Sequence, residues 1–210
     1  MVLYILTILL AMAGIFSYNF FVNPCDYSLA KIIIFTLLQP VIMVAWDGLG
    51  AWIVHWVIPG KWFSADSKFI GVGNKECRFY EILGIKKWKD HVLELGFLGN
   101  FSKKKIENPK DPEYIKMFIQ ECNVGSMVHL VNLIQAFPIL FCFPYNFRMY
   151  FVLPACFVNA FLSILPIMVL RYNIPRLRRL LVVLEKKEKL YATRQNQNQN
   201  QKTSEALQEK

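Results

Sequence analysis

Glu121, Gly125, His129 and Asn132 climb one helical face in the run Ile119-Gln-Glu-Cys-Asn-Val-Gly-Ser-Met-Val-His-Leu-Val-Asn-Leu-Ile134. At about 100° per residue the four positions fall inside an arc of roughly 80°. Leu130, Val131, Leu133 and Ile134 take much of the remaining circumference. Ionisable groups where a polar segment enters a bilayer are costly, so they face protein or a wet cavity and often mark function. Histidine, with a pKa near neutrality, is the usual general base. A polar helix–helix contact, with Glu121 in the headgroup layer, is the other reading of the same arc.

The elements that must position this arc are apolar helices. Of 210 residues 55% are hydrophobic and 15% aromatic, which is too apolar for an ordinary soluble domain. The expected fold is all-α: a polytopic membrane protein of about four transmembrane helices with a cytoplasmic amphipathic segment. The apolar stretches run over residues 2–22, 30–53, 125–143 and 149–170, against the ~20 residues a bilayer requires. The chain divides accordingly into 1–58 (two membrane helices and an interfacial end), 59–118 (the amphipathic segment), 119–170 (two membrane helices with the polar cluster) and 171–210 (a basic, then disordered tail).

The cations orient these spans. Of 24 Lys and Arg, 12 lie between Lys61 and Lys116 and 10 from Arg171 onward, while the short connections 23–28 and 144–148 hold only Arg148. The positive-inside rule makes the middle segment and both termini cytoplasmic in a multi-pass protein of the cell membrane. The start carries no Lys or Arg, and its apolar run continues past Ala11-Met-Ala13 through Phe21, so the first helix is expected to be retained. A net charge of +9 is accounted for by anionic lipid, with no nucleic acid required. The cysteines at 25, 77, 122, 142 and 156 show no C-x-x-C pair, and no disulfide framework, metal site or cofactor is expected.

Between these spans the sequence carries local signals. The second span closes on Trp46-Asp-Gly-Leu-Gly-Ala-Trp-Ile-Val-His-Trp56, whose tryptophans favour an interface, so the helix is expected to reach the cytoplasmic face near Asp47. Lys61-Trp-Phe-Ser and Lys75-Glu-Cys-Arg-Phe-Tyr80 mix cations with aromatics as surface-seated segments do. Gly71-Val-Gly73 lacks the context of a phosphate loop. Asp111-Pro-Glu113 is a helix start: a capping carboxylate, proline at the first position and an acid on the positive dipole end. Asn159, Ser163 and Pro166 form a polar line on the last span, suited to helix packing. No internal repeat is visible, which weighs against inverted-repeat transporters.

Three segments together resemble the bacterial glycosyl-4,4'-diaponeurosporenoate acyltransferases, which act on staphyloxanthin-type carotenoid glycolipids. They are Ile85-Lys-Lys-Trp-Lys-Asp90 followed by Glu94, Leu95 and Gly96; the spacing of Glu121 to His129; and Pro166-Ile-Met-Val-Leu-Arg-Tyr-Asn-Ile-Pro-Arg-Leu177. The likeness runs from about Lys75 to Lys189. This chain departs from the family pattern at Val124, Ser126, Leu170 and Ile174, where basic, acidic, glutamine and arginine residues are expected.

The resemblance implies transfer of a fatty acyl group from an acyl-CoA-type donor onto a hydroxyl of a membrane glycolipid, with membrane lipids as surroundings. It implies His129 as general base and Glu121 as the second catalytic group, orienting substrate or pairing with Arg171 or Arg176. Asn132, Trp88, Lys89, Arg171, Tyr172, Asn173 and Arg176 are the implied substrate-binding residues, the basic ones meeting the donor's phosphates. Ser126, three residues before His129, is either a nucleophile or a small packed residue. A non-catalytic membrane scaffold, or a lipid-handling protein that kept the fold, is the alternative function. The topology has a direct test. A single cysteine placed in Lys103–Lys105 should resist an impermeant thiol reagent added to intact cells, and labelling before lysis would overturn the orientation.

Overall fold

The computed structural model describes residues 2–67, 70–92 and 106–208. Lys103–Lys105 and the Glu94-Leu-Gly96 part of the resemblance lie outside them. The described residues are helical, with no strand. In chain order they form α1 (Val2–Phe21), α2 (Leu29–Val57), a 3-10 turn (Gly60–Phe63), α3 (Asn74–Ile82), α4 (Ile85–Trp88) and a 3-10 turn (Lys89–His91). α5 (Pro112–Gln135), a 3-10 segment (Pro138–Cys142), the short α6 (Tyr145–Phe147), one π-helical turn (Arg148–Val152) and α7 (Leu153–Gln208) follow.

Among the described residues three helices, rather than the expected four, are long and apolar enough to cross a membrane: Tyr4–Phe21, Leu29–Val57 and Tyr145–Gln199. The difference lies at residues 125–143. α5 stops at Gln135, and the chain enters a 3-10 segment at Pro138, because proline cannot supply the N–H that would extend the helix. The start of α5 is as expected: Asp111 Oδ1 accepts from the Glu113 N–H at 2.9 Å, with Pro112 at the first position.

Two other boundaries differ from the sequence reading. α2 does not end near Asp47 but continues to Val57, with Trp52 and Trp56 exposed on its last turns. Neither Gly48 nor Gly50 breaks it, since a helix already nucleated tolerates isolated glycines. The Asn/Gln tract expected to be disordered continues α7 through Gln208. From Lys186 to Gln199 every side chain of that extension is exposed, and the helix continues there by propagation from the packed part of α7.

α5 lies against both α2 and α7, and its contact with α7 is the most extensive in the molecule. Ile115, Phe118, Ile119 and Cys122 of α5 close on Leu170, Ile174, Leu177 and Leu181 of α7. Towards the far end, Phe35 of α2 meets Phe147 and Phe151 at ring-centroid distances of 4.7 and 5.4 Å, packed with Ile15 of α1. α2 and α5 meet through polar groups. Trp46 Nε1 donates to the Gln135 carbonyl at 2.6 Å, while Gln135 Nε2 donates to the Trp46 carbonyl at 2.8 Å and to Asn132 Oδ1 at 3.1 Å. These amides lie where a Cβ on Gly50 would stand.

Gly50→Ala should therefore displace the Asn132 and Gln135 side chains and break the bonds of Gln135 Nε2 to the Trp46 carbonyl and to Asn132. The expected loss is about 1–3 kcal/mol, read as a lower thermal midpoint of the purified protein. Gln135→Ala in the Gly50→Ala background should restore part of it, because the shorter side chain leaves the notch free.

Candidate functional site

α5 carries its polar residues into the bundle in order. Glu121 and His129 are half-buried, Asn123, Ser126 and Asn132 buried. Glu121 and His129 are separated by eight residues, about 12 Å of helical rise, so they act at different levels. The Ser126 hydroxyl donates to the Cys122 carbonyl at 2.8 Å, back-bonded on its own helix. A serine that satisfies its hydrogen in this way is placed for packing rather than for attack. Asn132, expected among substrate-binding residues, is engaged between helices at the Gly50 notch. Asn123 Nδ2 clamps the 3-10 turn after α2 through the carbonyls of Phe63 and Ser64, at 2.9 and 3.3 Å.

The departures Val124, Ser126, Leu170 and Ile174 all sit in packed positions. Leu170 and Ile174 belong to the α5–α7 seam, and Val124 packs on Val54, Phe63 and Ile70. Each of them contributes contact where a charged or larger polar residue would need a partner.

A second group forms where α7 leaves the bundle. Arg171 makes two bonds to the Glu76 carboxylate, one of them Nη2 to Oε2 at 2.9 Å, and Nη2 also reaches the Gly71 carbonyl at 3.2 Å. Tyr80 donates to the same carboxylate. One turn on, Tyr172 donates to Glu81 Oε1 at 3.0 Å, Lys86 Nζ lies 3.2 Å from it, and Arg176 Nη2 lies 3.4 Å away. The Arg176 guanidinium also stacks 3.6 Å over the Tyr172 ring. Beneath these contacts Tyr80, Ile85, Met168 and Tyr172 share a small core, with Trp88 against it.

The structure thus brings Arg171, Tyr172 and Arg176 together with the Ile85–Trp88 segment. It does so through Glu76, read from the sequence as part of a surface-seated segment, and Glu81, which the sequence analysis did not single out. The signal was present as two carboxylates five residues apart in an otherwise cationic stretch. The expected pairing of Glu121 with Arg171 or Arg176 is replaced by these two acids of α3. Trp88 Nε1 donates to the Leu83 carbonyl at 3.0 Å, Lys89 Nζ lies 3.9 Å from the carboxylate of its neighbour Asp90, and Asn173 is half-buried on α7.

Burial pushes the Glu76 carboxyl up, but hydrogen bonds from Arg171 and Tyr80 and the Arg171 charge outweigh it and hold the carboxyl below its ordinary range. Burial and the Glu76 bond push the Tyr80 hydroxyl up to about 12. Bonds from Lys86 and Tyr172 lower Glu81. Because Glu76 has a depressed pKa in the folded chain, its contribution to holding α3 is present above its ordinary 4.5 and is lost as pH falls through the lowered value. Glu76→Gln should weaken that attachment at all pH values above 4.5 by about 1–3 kcal/mol, the usual worth of bonds to charged groups. Faster hydrogen exchange across residues 74–82 at neutral pH, with the rest of the bundle unchanged, is the measurement.

Among the described residues no group of three His, Cys, Asp or Glu side chains is placed to hold a metal ion. No curated protein matches the chain, and no solved structure does. The model of one protein family matches residues 59–183, which include α3, α4, α5 and the first part of α7 and so both polar groups. That match covers more than half of the chain and carries His129, Glu121 and the Arg171–Arg176 exit, so this protein belongs to the glycosyl-4,4'-diaponeurosporenoate acyltransferase family.

Proposed function

We propose that the protein is a membrane O-acyltransferase that moves a fatty acyl group from an acyl-CoA-type thioester onto a hydroxyl of a membrane glycolipid, a carotenoid glycoside or similar lipid. The family match supports the reaction class. Within the chain, the observation that carries the reading is His129, half-buried on α5 between buried Ser126 and Asn132. An imidazole nitrogen of His129 takes the proton of the acceptor hydroxyl as its oxygen attacks the thioester carbon. The C–O bond forms, the C–S bond breaks, and the proton passes to the departing thiolate.

Glu121, about 12 Å towards the start of α5, orients substrate in this reading rather than touching His129. The donor's phosphates are drawn to the α7 exit. There Glu81 carries one negative charge against both Lys86 and Arg176, which leaves that group cationic. Arg176 is suited to phosphate by its forked donors, with Trp88, Lys89, Tyr172 and Asn173 beside it. Anionic phospholipid competes for the same charges. In the same reading α5 and its 3-10 continuation form a further membrane crossing, residues 59–118 and both termini face the cytoplasm, and the protein lies in the cell membrane.

One observation favours a second reading, a non-catalytic scaffold: Ser126 and Asn132, the neighbours of His129, both serve packing. Acyl transfer from labelled acyl-CoA separates the two. His129→Ala should lower turnover by roughly 10²–10⁴ with abundance near normal, whereas Ser126→Ala should keep most of the activity and show no acyl-enzyme by intact mass. Wild-type rates in a well-expressed His129→Ala protein would remove the general-base assignment and leave His129 a packing role, whereas no transfer by the wild-type protein would leave the scaffold.

A further inference from the structure

Pro154 is the second residue of α7, and Pro166 lies in its interior. In an α-helix the carbonyl of residue i accepts from the N–H of residue i+4. Proline has no N–H, so Pro154 and Pro166 leave Tyr150 and Leu162 without that donor. Tyr150 stands in the π-helical turn Arg148–Val152 that leads into α7. Both carbonyls belong to a helical stretch long and apolar enough to cross a membrane. Hydrocarbon supplies no water in place of a missing donor, so a freed carbonyl there needs a protein partner.

α1 meets both positions. It runs antiparallel to α7 and packs on α7 and α2 together. The Tyr4 hydroxyl donates to the Leu162 carbonyl at 3.0 Å, and Asn19 Nδ2 donates to the Tyr150 carbonyl at 3.0 Å. Both side chains are buried, Asn19 almost completely. Beside the second bond the Tyr18 ring stacks on the Tyr150 ring, with centroids 6.2 Å apart. Leu6 and Leu10, on the other side of α1, are exposed. Packing by shape alone would be met by Phe at position 4 and Leu at position 19. The hydroxyl and the amide are accounted for by where their hydrogens go, each to a carbonyl four residues before a proline.

We infer that α1 is a splint for α7: Tyr4 and Asn19 supply the donors that Pro166 and Pro154 withhold, and each side chain is required only while its proline is present. α1 lies outside the family-matched residues, whereas Leu162 and Pro166 lie within them. The splint thus ties an element that the match leaves out to one that it includes. Between its two bonds α7 carries Asn159, bonded to Asp47 of α2 at 2.9 Å. Beyond Pro166 it continues to Leu170 in the α5 seam and to Arg171 at the exit. Proline breaks are where helices bend or admit water into their hydrogen-bond ladder. Holding both breaks fixes one course for α7 from Tyr150 to that exit, whatever reaction the protein performs.

A double-mutant cycle on the full-length protein in nanodiscs tests the pairing. Tyr4→Phe removes one hydroxyl and keeps the ring. It should lower the apparent thermal midpoint by about 2 °C, the scale of one interhelical hydrogen bond in a bilayer. In the Pro166→Ala background the same change should cost no more than about half as much, because the alanine N–H reaches the Leu162 carbonyl from within α7. In the Pro154→Ala background it should cost as much as in the wild type. Asn19→Leu should follow the reverse pattern, relieved by Pro154→Ala and not by Pro166→Ala. The Tyr4 cycle decides alone if Asn19→Leu is not recovered as folded protein. No loss from Tyr4→Phe, or the same loss with and without Pro166, would overturn the splint and leave Tyr4 an ordinary packed ring.

Discussion

α5 is too polar to face hydrocarbon, and the rest of the bundle follows from that constraint. Glu121, His129, Asn132 and Gln135 lie along one helix, and lipid offers none of them a partner. α2 and α7 enclose it instead. On one side the enclosure is apolar, where Ile115, Phe118, Ile119 and Cys122 close on α7. On the other it is a reciprocal pair of hydrogen bonds between Trp46 and Gln135, with Gly50 giving the room. Close approach at a glycine and hydrogen bonds across the interface hold α2 against α5.

At the exit of α7 the constraint is reversed. Water is near, and cations are abundant rather than scarce. Arg171 and Arg176 would repel Lys86 and each other if nothing lay between them. α3 supplies Glu76 and Glu81 at those points, so the amphipathic segment docks by charge on its inner side. Phe79, Ile82 and Leu83 remain exposed, as fits a helix resting at an interface. The two acids thus join the Ile85–Trp88 segment to the Arg171–Leu177 segment, which are far apart in sequence and adjacent in the fold.

Much of the helical content was legible in the sequence, because it follows from local rules. Apolar runs of about 20 residues marked α1, α2 and the first part of α7. Asp111-Pro-Glu113 marked the start of α5 to the residue, since a cap depends only on its immediate neighbours. The arc of Glu121, His129 and Asn132 was likewise visible from periodicity alone. The reading was poorer at ends without such a cap: α2 ran past its glycines to Val57, and α7 ran on through the Asn/Gln tract. Both extensions continue an existing helix, where propagation costs little and composition is a weak guide.

The sequence by itself determined which segments are helical, which are apolar enough to cross a membrane, and that the acyltransferase motifs occur in order. Only the tertiary structure decided which charges meet. Arg171 takes Glu76 and not Glu121, Asn159 takes Asp47, and Asn132 sits on Gly50. The reason is physical: helix formation is governed by neighbours within four residues, whereas these partners lie 82 to 112 residues apart along the chain. Helical periodicity shows which residues share a face. Which face it meets depends on how three helices pack, and that is a property of the assembled bundle.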